Sequence, residues 1–103
     1  IFVAKTKEGM AGYLIFYYVL EEGEIARIAT AHSVRRQGAA IQMFRKLLDF
    51  CREQKITRIM LEVRENNEAA RQFYGKCGFT KDGIRRNYYE NPKENAVLMS
   101  VNL

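Results

Sequence analysis

The chain has 103 residues, the size of one small domain, and 48% of them are hydrophobic. With only seven Gly and one Pro, this composition argues against a disordered or fibrous protein. The formal net charge of +5 favours an anionic partner, which leaves open a nucleic acid, a membrane surface or a small polyphosphate. Charge alone would equally fit an ordinary domain with a charged surface.

The compartment is inferred from what the sequence lacks. Its longest apolar run, Ala11 to Leu20, is about half of what a membrane-spanning helix needs, and no segment resembles a cleaved signal. We therefore expect a cytoplasmic protein. Cys51 and Cys77 lie in apolar helical patterns without Cys or His at metal-ligand spacing, so we expect two buried thiols and no metal.

The first half begins with strand patterns. Two apolar and aromatic runs, Phe2–Lys5 and Gly12–Val19, flank the polar Thr6–Gly9 and predict a β-hairpin. The second run is apolar on both faces, as in a central strand. Glu22–Gly23 predicts the next turn, and Ile25–Thr30 alternates as a third strand.

The hydrophobic period then changes to that of an amphipathic helix, which we expect to end near Lys55. Its apolar side chains recur at spacings of three and four: Ile41, Phe44, Leu48 and Cys51. A short apolar strand follows at Arg58–Val63. Strand, helix and strand in this order imply a crossover between parallel or near-parallel strands.

A second helix is predicted after this strand, capped by Asn66 or Asn67 and ended by Gly78. We expect its buried stripe to consist of Ala69, Ala70, Phe73 and Cys77.

Two further strands are predicted at Phe79–Arg86 and Ala96–Val101, joined by a polar loop at Asn87–Asn95 that contains Pro92. The elements add up to a single mixed α/β domain over residues 1–103.

The segment Arg35–Ala40, RRQGAA, lies between a strand and a helix, where small residues let a ligand approach the free amides of a helix start. This is a possible phosphate or pyrophosphate site. The segment has neither the Lys-Ser/Thr end of a P-loop nor the three-glycine spacing of a dinucleotide fold. Taken alone, an exposed turn with arginines is the simpler interpretation.

Two polar side chains are candidates for chemistry. Glu62 lies near the end of a strand, where α/β proteins often place functional groups, although a solvated or salt-bridged Glu is the commoner case. Tyr74 lies one position off the predicted stripe, so its ring can pack while its hydroxyl faces a cleft. A tyrosine at the rim of a core is the simpler interpretation here too.

Several segments, taken in their order along the chain, resemble the GNAT superfamily of N-acetyltransferases. They are the Gly/Ala turn, the helix after it, "IMLEV", "NNEAARQFYGKCGF" and "IRRNYY". The resemblance runs from about Phe2 to Val101 and is strongest to the ribosomal-protein-alanine N-acetyltransferases. RRQGAA is similar to the family's Arg/Gln-x-x-Gly-x-Gly/Ala signature. The twelve-residue step from Glu62 to Tyr74 matches the spacing of that subfamily's catalytic pair.

The resemblance implies a mixed, mostly antiparallel sheet with one parallel strand pair and flanking helices. It also implies that the family's first strand and two helices are absent from this sequence, which begins at Ile1 in a strand-like segment. Acetyl-CoA would be the co-substrate and no metal would be needed. The expected partner is a peptide or protein N-terminus, such as that of a ribosomal protein, with no membrane and no direct nucleic-acid contact.

The resemblance also implies roles for individual residues. Glu62 would act as general base through water, Tyr74 would protonate the leaving thiolate, and Tyr88 and Tyr89 would line the peptide groove. The cofactor would be held by the backbone of Ile28, Ala29 and Thr30 at the pantetheine arm, by the amides of Arg36, Gln37, Gly38, Ala39, Ala40 and Ile41 at the pyrophosphate, and by Asn67 near the reactive end.

Some positions depart from the family pattern. Ala40 stands where Gly is more usual, which the signature allows, and Gly75 stands where the family often has Glu. Neither His32 nor either Cys forms an evident nucleophile pair, so we expect direct attack by the amine in a ternary complex. A backbone N–H of Ile25–Thr30 would meet the oxyanion.

An α-amine has a pKa of about 8 and a Lys side chain one of about 10.4. A single carboxylate can therefore deprotonate an α-amine at neutral pH more easily than a Lys side chain.

Three alternative functions stay open. The acceptor could be a small amine such as a polyamine, an amino acid or an aminoglycoside. The chain could instead be a basic binding module for nucleic acid, or a subunit that binds coenzyme A without catalysing transfer.

Overall fold

The structure is a computed structural model that describes residues 2–6, 9–30 and 39–103. The chain divides into two compact units, residues 1–57 and 58–103. The first unit contains β1 (Phe2–Thr6), β2 (Gly9–Val19), β3 (Glu22–Thr30) and α1 (Ala39–Gln54). The second unit contains β4 (Arg58–Arg64), α2 (Glu68–Lys76), β5 (Thr80–Tyr89) and β6 (Glu94–Asn102). No helix among the described residues is long and apolar enough to cross a membrane.

The strands of the first unit form an antiparallel ladder in the order β1, β2, β3. This confirms the predicted hairpin and the central place of β2 between its two neighbours. Leu14, in the middle of β2, is fully buried and lies opposite Phe2 on one side and Ile28 on the other. Burial of a leucine of this kind contributes roughly 1.5–3 kcal/mol.

The turn between β2 and β3 was predicted at Glu22–Gly23, and this prediction is wrong. The turn is Leu20–Glu21, where Leu20 takes a φ of 56°, and the two predicted turn residues are already paired in β3. Gly23 has a packing role instead, because a Cβ at that position would overlap the ring of Phe16. The glycine therefore allows a close approach within the strand pair.

Helix α1 spans Ala39–Gln54 and so ends one residue before the predicted end near Lys55. Its buried side chains are Met43, Phe44, Leu47 and Cys51. The predicted apolar face was wrong at Ile41, which is 38% exposed, and Leu48 is only half-buried. At about 100° per residue, Ile41 points away from the face that Met43 and Leu47 define.

In the second unit the antiparallel order is β4, β6, β5. Burial alternates along β4: Ile59, Leu61 and Val63 are buried, and the residues between them are half-buried. Because successive strand side chains point to opposite faces, Glu62 lies on the face opposite to Leu61 and Val63. The strand period thus places a carboxylate on the more accessible face of this sheet.

The connection between β5 and β6 is shorter than the predicted loop at Asn87–Asn95. Strand β5 continues to Tyr89, which pairs with Glu94 at the start of β6. Asn87 adopts a φ of 53°, and its N–H donates to Oδ1 of Asn95 at 2.9 Å. A side-chain acceptor at this irregular point therefore lets the strand pair extend past the polar residues that suggested a loop.

Candidate active site

Helix α2 carries a specific signal at each end. Oδ1 of Asn67 accepts the N–H of Ala70 at 3.2 Å, which settles the choice between the two predicted caps. At the other end Gly78 has a φ of 98°, as predicted for the residue that stops the helix. The N–H groups of Gly78 and Phe79 donate to the carbonyl oxygens of Gly75 and Tyr74, both at 3.0 Å, which is a complete Schellman motif.

This C-terminal motif positions Tyr74. The ring of Phe79 packs on the ring of Tyr74 with centroids 5.6 Å apart, the hydrophobic contact that accompanies such a motif. Tyr74 is 5% exposed and is the buried residue of α2. Burial raises the pKa of its hydroxyl to about 12, with smaller contributions from Cys77 and Tyr89. The phenol therefore stays protonated at neutral pH.

The predicted buried stripe of α2 is wrong. Ala69 is exposed, while Ala70, Phe73 and Cys77 are half-buried. Tyr74, which packs on Phe79 of the Schellman motif, is buried in place of its half-buried neighbour Phe73. The prediction of a buried thiol is confirmed for Cys51, and this burial raises the pKa of the thiol to about 11. Cys77 is only half-buried.

Glu62 is paired with a cation on β5. Its Oε1 lies 3.4 Å from Nη1 of Arg85, and the Glu62 side chain retains 24% exposure against 53% for Arg85. The pair connects strands that are separated by β6, where Glu62 lies opposite Leu98 and Arg85 lies opposite Ala96. The carboxylate is thus accessible to solvent and paired with the Arg85 guanidinium.

The two tyrosines at the end of β5 join this cluster. The guanidinium carbon of Arg85 lies 4.9 Å from the ring centroid of Tyr88, and the rings of Tyr88 and Tyr89 meet edge to face at 5.1 Å. Burial and the nearby Glu62 carboxylate raise the pKa of Tyr89. Because Tyr89 also raises the pKa of Tyr74, it lies within electrostatic reach of both predicted catalytic residues.

Arg64 holds the β5–β6 connection in place beside this cluster. Its guanidinium donates to the carbonyl oxygens of Glu90 and Pro92 at 3.2 and 3.1 Å, and to Oε1 of Glu94 at 3.2 Å. The same guanidinium lies 4.3 Å from the ring centroid of Tyr89. One side chain therefore contacts both the loop and the ring of Tyr89.

Oε2 of Glu94 extends this network by accepting the N–H of Asn66 at 2.6 Å, in the turn before α2. The C-terminal end of β4, the turn after it and the start of β6 are thereby joined through charged hydrogen bonds. Arg64 and Arg85 were both missed by the sequence analysis. Arg64 lies two residues after Glu62 on β4, so the strand period places both on one face, and this spacing is the signal that could have found Arg64.

The predicted cofactor residues lie in the first unit, apart from Asn67, the N-cap of α2. Ile28, Ala29 and Thr30 are the last residues of β3 and pair with β2. Ala39, Ala40 and Ile41 form the start of α1, whose first turn carries no acidic residue. Free amides at such a helix start favour an anion. Arg36, Gln37 and Gly38 lie outside the described residues.

A metal centre would need several ligands close together. Among the residues that the structure describes, no group of three or more His, Cys, Asp or Glu side chains could hold a metal ion.

The second unit thus carries a half-buried carboxylate, Glu62, on a strand and a buried phenol, Tyr74, on the helix that follows it. The chain belongs to the acetyltransferase (GNAT) family, whose model matches residues 1–79. A candidate ribosomal protein bS18-alanine N-acetyltransferase from Bacillus subtilis is 36% identical over 98 residues, 94% of this chain and 65% of the relative. The chain thus spans slightly less than two thirds of that protein.

Solved acetyltransferase structures have the same fold as this chain. The crystal structure of the ribosomal-protein-S18-alanine N-acetyltransferase from Escherichia coli superposes with a TM-score of 0.87 at 32% identity, over 95% of this chain and 64% of that one. A candidate streptothricin acetyltransferase from Bacillus anthracis, crystallised with acetyl coenzyme A, gives a TM-score of 0.88 at 25% identity. That match covers 98% of this chain and 60% of the Bacillus anthracis protein. The predicted family and fold class are confirmed.

Proposed function

We propose that the protein is an acetyl-CoA-dependent N-acetyltransferase that modifies the N-terminal α-amine of another protein. The observation that carries the proposal is the presence of an accessible carboxylate, Glu62, and a buried, protonated phenol, Tyr74, in a chain whose relatives are named ribosomal-protein alanine N-acetyltransferases. The proposed acceptor is the N-terminus of a ribosomal protein, which would place the reaction in the cytoplasm.

Acetyl-CoA is the proposed donor, as in the structural neighbour that was crystallised with it. The pantetheine arm would pair with the backbone of Ile28–Thr30, and the pyrophosphate would bind the amides of Arg36–Ile41. The acid-free first turn of α1 supports this assignment, because a carboxylate there would compete with the phosphates. Asn67, the N-cap of α2, is proposed to contact the cofactor near its thioester.

Glu62 is the proposed base. An α-ammonium has a pKa of about 8, so little free energy is needed to remove its proton at neutral pH. The carboxylate takes that proton, directly or through water, and the neutral amine attacks the thioester carbon. The C–N bond forms, the C–S bond breaks, the thiolate of coenzyme A leaves, and the attacking nitrogen gives its remaining surplus proton to water as the amide forms.

Tyr74 is proposed to donate its hydroxyl proton toward the leaving thiolate. A phenol with a pKa of about 12 is a weaker acid than a thiol, whose ordinary value is about 8.5. The free energy therefore favours a strong hydrogen bond from the phenol to the thiolate over complete transfer of the proton. This bond stabilises the developing negative charge, and it exists only when the C–S bond is breaking.

A small amine is the second candidate acceptor, because one structural neighbour is a candidate streptothricin acetyltransferase. The aromatic pair Tyr88 and Tyr89 beside Glu62 favours a peptide, since rings of this kind hold a backbone by stacking and by hydroxyl hydrogen bonds.

The test compares one peptide in two forms: a free N-terminus with blocked lysines, and a blocked N-terminus with a free lysine. Spermidine and streptothricin serve as small-amine controls, and acetylation is followed by mass. We expect the free N-terminus to react fastest. Faster reaction of the lysine form or of a small amine would overturn the N-terminal assignment, and no acetylation of any amine would overturn the enzymatic one.

A further inference from the structure

The carboxylate assigned as the base already holds a cation. Nη1 of Arg85 lies 3.4 Å from Oε1 of Glu62. An ammonium that gives its proton to Glu62 would have to approach the same carboxylate. An ammonium and a guanidinium both offer a positive charge and N–H donors to a carboxylate. The substrate and Arg85 therefore compete for the same partner.

The ion pair between Arg85 and Glu62 has the properties of a pair in which another cation can replace the guanidinium. The Arg85 side chain is 53% exposed, and ion pairs this open to water contribute little free energy. The guanidinium also has a second partner, because the ring of Tyr88 lies 4.9 Å from its central carbon. Space is available as well: Gly83 lies opposite Leu98 in the same row as Glu62, and no atom of the described residues lies within 4 Å of where its Cβ would be.

We propose that Arg85 is a resident counter-ion of Glu62 that the substrate's α-ammonium displaces, with the ring of Tyr88 retaining the guanidinium after the exchange. The inference rests on the proposed function and concerns how the same site selects its substrate. After the exchange, the ammonium proton passes to a Glu62 carboxylate oxygen and leaves a neutral amine. When Glu62 returns that proton to water, Arg85 pairs with it again.

A fixed structural role for Arg85 gives the opposite expectation. If the guanidinium had to stay in place to orient Glu62, its removal would lower kcat and raise the peptide KM. If it is displaced, its removal ends the competition, so the peptide KM falls and kcat is kept. Removal of the guanidinium should raise the affinity only of ligands that bring a cation to Glu62.

The experiment compares Arg85→Met with Arg86→Met, which removes the same charge from the adjacent exposed position, and with Arg85→Lys, which keeps the charge. The substrate is a peptide with a free N-terminus, and its desamino analogue, which lacks the ammonium, serves as a competitive inhibitor. We expect Arg85→Met to lower the peptide KM two- to fivefold, to change kcat less than twofold and to leave the analogue's Ki unchanged. The range is about that of an exposed ion pair.

Arg86→Met and Arg85→Lys should keep a KM close to the parent value. An unchanged or raised KM in Arg85→Met overturns the proposal, and a fallen kcat in addition would assign Arg85 to holding Glu62. An equal gain in Arg86→Met, or an equal gain in affinity for the desamino analogue, would also overturn it, because net charge would then explain the effect. A parent protein that acetylates no amine refutes the proposed function itself, and this inference with it.

Discussion

The carbonyl oxygen of Tyr74 accepts the N–H of Phe79 at 3.0 Å while the two rings pack with centroids 5.6 Å apart. One helix ending therefore determines both the backbone and the side-chain environment of the proposed hydrogen-bond donor. The motif depends on Gly78, whose φ of 98° is a conformation that L side chains rarely adopt. The position of the phenol is thus tied to a glycine four residues away.

Two glycines at this helix end should respond in opposite directions. Gly78→Ala should destabilise the protein by about 1–2 kcal/mol, because a Cβ is strained at positive φ. Gly75→Ala should stabilise it by up to about 1 kcal/mol, because this helical position is exposed and a Cβ there meets no atom within 4 Å in the part of the chain that the structure describes. Urea unfolding measures both, and equal effects of the two substitutions would contradict the assigned Schellman geometry.

Stability should fall in alkaline solution, and Tyr74 should account for part of that fall. Its pKa is about 12 in the folded protein and 10.0 as the reference value, so the unfolded chain loses this proton first as pH rises. The contribution is fully present below pH 10 and is lost toward pH 12, about 2–3 kcal/mol in all.

The Tyr74→Phe variant isolates this contribution. Its free energy of unfolding should decline less between pH 9 and 11 than that of the parent, in urea titrations at fixed ionic strength. Tyr17→Phe, which removes a hydroxyl from a side chain that is 66% exposed, is the matched control and should keep the parent's pH dependence. Parallel curves for the parent and Tyr74→Phe would show that the phenol is not buried as described.

The sequence was sufficient for features with local causes. The cap at Asn67 and the stop at Gly78 follow from short-range hydrogen bonding and backbone preference, and both are confirmed. It was insufficient where a contact with a residue distant along the chain determines the local structure. Gly23 was predicted to be a turn residue. The structure shows that the ring of Phe16 occupies the space of its missing Cβ, and this contact cannot be read from the sequence because the two residues are not adjacent.

The same limit applies at the candidate site. Tyr88 and Tyr89 were placed in a loop because polar residues follow "IRR", whereas the side chain of Asn95 supports continued strand pairing there. The pairing of Glu62 with Arg85 requires knowing that β6 lies between their strands. The roles of Glu62 and Tyr74 came from the family resemblance, and those roles stay predictions.

Arg64 should be needed to hold the β5–β6 connection. Arg64→Met removes the donors to Glu90, Pro92 and Glu94, and leaves the Glu94 carboxylate, whose side chain is 11% exposed, without its cation. We expect a loss of about 1–3 kcal/mol in stability and faster amide exchange in residues 90–95. Arg64→Lys should not restore the parent behaviour, because one ammonium cannot reproduce the planar fork. Parent-like exchange in Arg64→Met would refute this role.

The proposed pyrophosphate site has a direct test. Gly38→Asp adds a side chain and a negative charge where the phosphates are proposed to bind, beside the start of α1 at Ala39. Affinity for acetyl-CoA in calorimetric titration should fall at least tenfold, while the unfolding midpoint stays close to that of the parent. Gly38→Ala is the control for the side chain alone. Unchanged affinity in Gly38→Asp would move the cofactor elsewhere.

Tyr74→Phe tests the chemistry at the buried phenol most directly. The substitution keeps the ring, and with it the contact to Phe79 and the Schellman ending, and removes only the hydroxyl. Because the proposed hydrogen bond forms only as the thiolate leaves, kcat should fall about 10²- to 10⁴-fold while affinity for acetyl-CoA changes little. Single-turnover measurements with a saturating free N-terminal peptide separate this step from product release. Phe73→Leu, which alters the half-buried neighbouring ring, is the packing control and should retain most of the activity. Turnover of Tyr74→Phe at the parent rate would show that another group meets the leaving thiolate.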